Sequence, residues 1–177
     1  MIQWDLLGLG KGFREMIIRP ATLRDAEDVV DIYNHYILNT VITFEEQSVS
    51  PEDLSKRIQK VFSENLPWLV AEQDGKIVGY AYASQWKDRS AYRFSVECTI
   101  YLTPSLQSQG LGTKLYTALF ETLRCRTVHA VVGTIALPNP ASIALHEKFG
   151  MKKVAHFKEV GFKFNKWVDV GYWEVLL

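Results

Sequence analysis

The sequence predicts a mixed α/β domain, and three observations carry that prediction. Residues 96–102 are dense in β-branched and aromatic side chains, while Leu115, Ala118 and Leu119 further on recur at helical spacing, so a strand runs into a helix. The join between them, Gln107-Ser108-Gln109-Gly110-Leu111-Gly112, carries two glycines at a helix start. Over the whole chain, periodicity and punctuation give the order β-α-α-β-β-β-α-β-α-β-β, with no repeat, low-complexity segment or interdomain linker.

Residues 16–20 form a short strand stopped by Pro20. Thr22-Leu23-Arg24-Asp25 is a capping box, followed by Val29, Val30, Ile32, Tyr33 and Tyr36 at helical spacing, so a helix runs to about Leu38. Ser50-Pro51-Glu52-Asp53 starts a second helix, to about Ser63. Residues 66–72 and 76–85 are strands joined at Asp74-Gly75. A strand over 94–102 and a helix over 110–124 follow, then a strand over 128–135 and a helix over 139–149 stopped by Gly150. Residues 152–157 and 168–176 close the sheet. Residues 16–177 are thus expected to form one domain, with residues 1–15 a peripheral extension that lacks the features of a signal peptide.

A chain of 177 residues, 47% hydrophobic, can bury one full core. Its formal net charge is zero and it has no basic stripe, which argues against nucleic acid as a partner. No apolar run is long enough to span a bilayer, so no membrane partner is expected. Cys98 and Cys125 have neither metal-ligand nor disulfide-framework spacing and read as reduced cysteines of a cytoplasmic protein; no metal is expected.

The glycine loop can hold phosphate, because unpaired amides and the positive end of the helix dipole point the same way. It lacks the spacing of a nucleotide P-loop and the third glycine of a dinucleotide fingerprint; the plainer reading is a glycine-rich turn that caps a helix. Along residues 93–102, alternation puts Phe94, Val96, Cys98, Ile100 and Leu102 on one face, and Arg93, Ser95, Glu97, Thr99 and Tyr101 on a polar one. Glu97 is either a solvated acid on a wet face or a proton acceptor beside the loop.

Q-x-x-G-x-G between a strand and a helix resembles the signature of the GNAT superfamily of acyl-CoA-dependent N-acetyltransferases. Asn139-x-x-Ser142 and Glu147-Lys148-Phe149-Gly150 supply a second match, with His146 where many members have tyrosine. Longer echoes resemble the phosphinothricin, methionine sulfone and methionine sulfoximine acetyltransferase branch: Asn34-His35-Tyr36-Ile37, Thr43-Phe44, residues 67–72, Trp86-Lys87-x-Arg89-x-Ala91-Tyr92, the V-E-x-T-x-Y around Glu97, and Trp167-x-Asp169-Val170-Gly171-Tyr172-Trp173.

The resemblance implies a strongly bent mixed sheet with helices on both faces, and acetyl-CoA as co-substrate. Gln107, Ser108, Gln109, Gly110, Leu111, Gly112 and Thr113 would cradle the diphosphate. Backbone groups of Ile100, Tyr101 and Leu102 would hold the pantetheine arm as an added strand, with Asn139 and Ser142 either bonding that arm or merely capping a helix. Glu97 would be the general base, since an attacking amine must first lose a proton. His146 would be a proton donor to the departing thiolate, or a satisfied core histidine.

The acceptor would be a small amino-acid-like amine, met by Phe44, Trp86, Lys87, Arg89, Tyr92 and Arg93. Glu45-Glu46 departs from the branch, where arginine tends to follow the phenylalanine, and this counts against phosphinothricin itself. A homodimer is also implied, with Phe162, Phe164, Trp167, Tyr172 and Trp173 as candidate contacts that could equally be core. Two alternatives stand beside this reading: a GNAT enzyme acting on a protein N-terminus or a polyamine, and a CoA-binding module without turnover.

Overall fold

The structure, a computed structural model, describes residues 16–106 and 109–177. Residues 1–15, and with them the expected N-terminal extension, lie outside the described residues, as do Gln107 and Ser108. Seven strands, β1 (Met16–Pro20), β2 (Trp68–Gln73), β3 (Lys76–Gln85), β4 (Ser95–Leu102), β5 (Ala130–Leu137), β6 (Lys152–Lys163) and β7 (Lys166–Leu176), form one sheet in the order β1-β2-β3-β4-β5-β7-β6. Every neighbouring pair is antiparallel except β4 and β5, which run parallel. Four helices complete the fold: α1 (Ala26–Asn39), α2 (Pro51–Ser63), α3 (Leu111–Arg124) and α4 (Pro140–Lys148). The mixed α/β expectation is borne out.

Local chemistry sets the boundaries. The Thr22–Asp25 capping box forms at the entry to α1 through one turn of tighter helix, Leu23–Asp25. At α2, Ser50 accepts a hydrogen bond from Asp53 N and Pro51 occupies the first turn, where its missing N–H has no consequence. Asp74 and Gly75 both take positive φ, 53° and 75°, as a two-residue hairpin turn requires.

The sheet carries helices on both faces. Tyr33 and Tyr36 of α1 pack on Tyr101, whereas Tyr116 of α3 reaches Cys98. Odd-numbered β4 residues therefore face α1 and α2, and even-numbered ones face α3 and α4. The odd face, expected to be polar and wet, is covered where α1 lies on it, and Glu97 is only half-exposed. The hairpin of β6 and β7 is also longer than expected. A bulge between Phe157 and Gly161 breaks the alternation that marks a strand, so its outer half is hidden in the sequence.

Candidate active site

The parallel ladder between β4 and β5 ends at the Cys98–Gly133 rung, although both strands continue. Backbone direction beyond that rung follows from neighbouring bonds. Phe94 O accepts from His129 N and Ala130 N on the β5 side, while Ser95 O accepts from Trp86 N on the β3 side. Alternation then turns the N–H and C=O of Ile100 and Leu102 toward the gap. Leu102 O accepts from Tyr36 Oη at 2.6 Å, and Ile100, opposite Ala81 on β3, has no partner on β5 among the described residues. Tyr101, expected to offer backbone groups as well, turns them to Tyr80 on β3 by the same alternation and contributes its ring instead.

A cleft of about 430 Å³ opens at this gap, walled by Tyr36, Ile42, Ile100, Tyr101 and Leu102 on one side and by the starts of α3 and α4 on the other. Gly110 caps α3 with φ 81°, a conformation natural to glycine, leaving the amides of Leu111, Gly112 and Thr113 at an open helix start. The Leu111 side chain is core, so only its amide is on offer. Gln109 donates to Ser105 O, outside the cleft wall. Asn139 caps α4 by accepting from Ser142 N at 3.1 Å, and both residues also line the cleft. Lys148 brings an ammonium to the mouth, donating to Thr113 Oγ1.

Glu97 lies on the odd face, at the Glu97–Val132 rung just before the gap. His146 lies on the opposite face, 3% exposed, over Gly133, where a side chain of any size would overlap its ring. Ser142 O can only accept, so the 2.7 Å contact places the proton on His146 Nδ1. Burial pushes the imidazole pKa below 6.5 and keeps the ring neutral. Nε2 then accepts from Tyr116 Oη at 3.1 Å, and Tyr116 Oη in turn accepts from Cys98 Sγ, a thiol that burial pushes up to about 12. Both ring nitrogens of His146 are thus already engaged, Nδ1 by Ser142 of the cleft wall and Nε2 by buried Tyr116.

The residues expected to meet an acceptor fall into two groups. Trp86 and Tyr92 pack edge to face at 5.2 Å, Lys87 lies over Trp86, and Lys87, Arg89 and Tyr92 line one open hollow. Arg93 instead donates to Ser90 O and stacks on Phe94, at 4.3 Å from the ring centre. Phe44 sits apart from the Trp86 group, on Gly161 of β6. Next to it, buried Lys163 donates to Thr43 O. Glu45, suspected as an extra negative charge, is gripped by Arg57 at 2.6 and 3.0 Å, which holds its carboxyl below the usual range.

Residues 18–171 match the family described as acetyltransferase (GNAT) domain. The chain belongs to the GNAT acetyltransferase family. It is 38% identical over 161 residues to the phosphinothricin N-acetyltransferase of Streptomyces viridochromogenes, covering 91% of this chain and 87% of that one. To the L-methionine sulfoximine/L-methionine sulfone acetyltransferase of Salmonella typhimurium it is 32% identical, covering 92% and 95%. The solved GNAT phosphinothricin acetyltransferase of Sinorhizobium meliloti, in complex with acetyl-CoA, superposes with a TM-score of 0.89 at 32% identity, covering 92% and 88%.

The GNAT cleft of this chain fits such a thioester on its own geometry. Ile100 offers backbone groups that have no β5 partner among the described residues, the walls are largely apolar, and the far end gathers helix amides beside the Lys148 cation. Sequence reasoning missed Tyr36, Ile42, Leu145 and Lys148 as cleft residues. Lys148 was within reach as part of Glu147-Lys148-Phe149-Gly150; the others are apolar or aromatic helix and loop residues whose facing only packing reveals. Among the described residues no group of His, Cys, Asp or Glu is gathered for a metal, and no described helix is long and apolar enough to cross a membrane.

Proposed function

We propose that this acetyltransferase moves the acetyl group of acetyl-CoA directly to the amino group of a small amino-acid-like acceptor, with Glu97 as general base. The observation that carries the reading is the gap after the Cys98–Gly133 rung. It puts a strand edge for the thioester arm next to a half-buried carboxylate on the face where an amine can enter. Acceptors of the phosphinothricin, methionine sulfone and methionine sulfoximine type are supported by the names of the relatives, and Trp86, Lys87, Arg89, Tyr92 and Phe44 are the side chains assigned to them.

Ile100 N–H is assigned to polarising the thioester carbonyl, and the amides of residues 110–113, with Lys148 and the loop residues Gln107 and Ser108, are assigned to the diphosphate. Glu97 takes the amine's proton. His146 is assigned to holding β5 and α4 at the gap, since neither ring nitrogen is free to donate into the cleft. With an ordinary thiol pKa of about 8.5, the released thiolate can take its proton from solvent. A cytoplasmic setting suits the two free cysteines.

The test is CoA release from acetyl-CoA with a panel of amines. Turnover is expected with methionine sulfone, methionine sulfoximine or phosphinothricin, and none with polyamines or N-terminal peptides. Tight CoA binding without turnover of any amine would point to a binding module instead. We also assign a homodimer built on the β6–β7 hairpin, where Phe162, Phe164 and Trp167 are exposed, Trp167 by 63%. Sedimentation equilibrium is expected to show twice the chain mass, and Trp167→Ser to shift it toward the monomer.

A further inference from the structure

We infer that Thr134 is a second anchor for the attacking nitrogen, its hydroxyl accepting one N–H so that the amine's lone pair is turned toward the thioester. This rests on Glu97 as general base and on a primary amine as acceptor, both proposed above.

Thr134 is exposed where its strand is otherwise buried. β5 runs between β4 and β7, and Val131, Val132, Ile135 and Ala136 on either side of Thr134 are at most 6% exposed. Thr134 itself is open. The packing gives the cause. Helices α1 and α2 lie on β2, β3 and β4, and β4 parts from β5 after the Cys98–Gly133 rung. Thr134 is the first β5 residue beyond that rung, so its side chain emerges at the mouth of the gap.

It emerges on the acceptor's face. Glu97 pairs with Val132, and alternation returns Thr134, two residues on, to the same side as Glu97. Tyr172, its cross-strand partner on β7, stands beside it and is held edge to face by Phe157 at 5.6 Å. With strands about 4.8 Å apart and a rise of about 3.3 Å per residue, the Cβ atoms of Glu97 and Thr134 are about 8 Å apart. One nitrogen can reach both side chains across that distance through hydrogen bonds of about 2.9 Å.

The other hydroxyls of this face are less well placed. Ser84 lies opposite Glu97 on β3, on the side away from the gap. Thr99, level with Thr134 on β4, is half-buried beside its partner Tyr82. Thr134 borders the gap from the β5 side, opposite the Ile100 edge assigned to the thioester, and its hydroxyl has no partner among the described residues.

Tetrahedral nitrogen then does the aiming. The acceptor's ammonium first passes one proton through Glu97 to solvent, which leaves a neutral amine with two N–H groups and a lone pair. One N–H goes to Glu97 and the other to the Thr134 hydroxyl, an acceptor as well as a donor. With the fourth direction taken by carbon, the lone pair points into the gap. As the N–C bond forms and the C–S bond breaks, Glu97 takes the proton it holds and the thiolate departs. The N–H at Thr134 stays on as the amide N–H of the product.

The experiment measures steady-state kinetics of the wild type, Thr134→Val, Thr134→Ser and Glu97→Gln, with the fastest of methionine sulfone, methionine sulfoximine and phosphinothricin. Thr134→Val keeps the shape and removes the hydroxyl, and should lower kcat by about five- to tenfold, in the range of one lost hydrogen bond. Thr134→Ser keeps the hydroxyl and should stay within about twofold of the wild type. In both, the KM for acetyl-CoA should move by less than about twofold, and the thermal midpoint by less than about 2 °C, as for an exposed site.

A wild-type rate in Thr134→Val overturns the inference, as does a Thr134→Ser that falls as far as Thr134→Val. So does a rise in the KM for acetyl-CoA that matches the loss, since the hydroxyl would then serve the thioester arm. Any of these beside a slow Glu97→Gln strikes the role of Thr134 alone. A Glu97→Gln as fast as the wild type, or a wild type that turns over none of the three acceptors, strikes the proposed function and the role of Thr134 with it.

Discussion

Glu97→Gln is expected to lower kcat/KM for the amine by about 10²- to 10⁴-fold, the usual contribution of a positioned general base. The change removes a proton acceptor while keeping size and polarity, so the KM for acetyl-CoA, whose assigned contacts lie at Ile100 and beyond, should stay within about twofold. The loss should also depend on pH. Near neutral pH the acceptor's α-amino group is largely ammonium and needs the base; as pH rises through the amine's own pKa the neutral form becomes abundant in free solution, and the variant should recover part of its rate. Steady-state kinetics across pH 6–10 checks this, and an unchanged kcat at every pH would remove Glu97 from the base role. The half-buried position of Glu97 on the α1 and α2 face gives the prediction its sign, since part of the side chain remains open to solvent and to an incoming amine.

Gly133→Ala is expected to destabilise the fold by about 2–4 kcal/mol, through overpacking and a lost buried hydrogen bond. Thermal unfolding should fall by about 5–10 °C for a domain of this size. A methyl there occupies the space of the His146 ring, so the ring must move and its bond with Tyr116 must break. The double variant Gly133→Ala/His146→Ala should recover most of the loss, because the clash disappears with the ring. Protons report on the same contact. Folding holds the His146 pKa below its ordinary 6.5, so between those values the unfolded chain binds the proton that the folded one refuses. The His146 contribution to stability is therefore present above 6.5 and is lost as pH falls from 6.5 toward the folded value. Wild type should weaken over that window in denaturant titrations, and Gly133→Ala, with its ring displaced, should weaken less. Full stability of Gly133→Ala would mean that the strand yields and that the ring does not hold the gap.

Much of the fold was legible because its signals are local. The Thr22–Asp25 box, the Ser50-Pro51 helix start and the Asp74-Gly75 turn each act within four residues, and each structure boundary falls within two residues of its signal. The outer half of the β6–β7 hairpin was not legible, because the bulge before Gly161 shifts its register and erases the alternation. Within the site, Asn139 and Gly110 were found from motif spacing. How Glu97 stands relative to His146 was not legible: one side chain lies on each face of the sheet, and the two come from separate motifs whose relative facing only packing sets. Glu45 shows the same limit, since it lies in the loop before α2 and its neutralising partner Arg57 stands twelve residues on, within that helix.

The sequence by itself determined the order of elements, the strand-to-glycine-to-helix join, the alternation that separates Glu97 from Cys98, and membership of a family of acetyltransferases. These depend on periodicity and on contacts a few residues long, which a linear chain displays. Only the tertiary structure decided where β4 and β5 part, that His146 is sealed between Tyr116 and Ser142, and that the Trp68 indole N–H is buried without a partner among the described residues. Those features arise where residues far apart in the chain compete for the same space and the same hydrogen bonds, and that competition is resolved only when the sheet and its four helices close on one another.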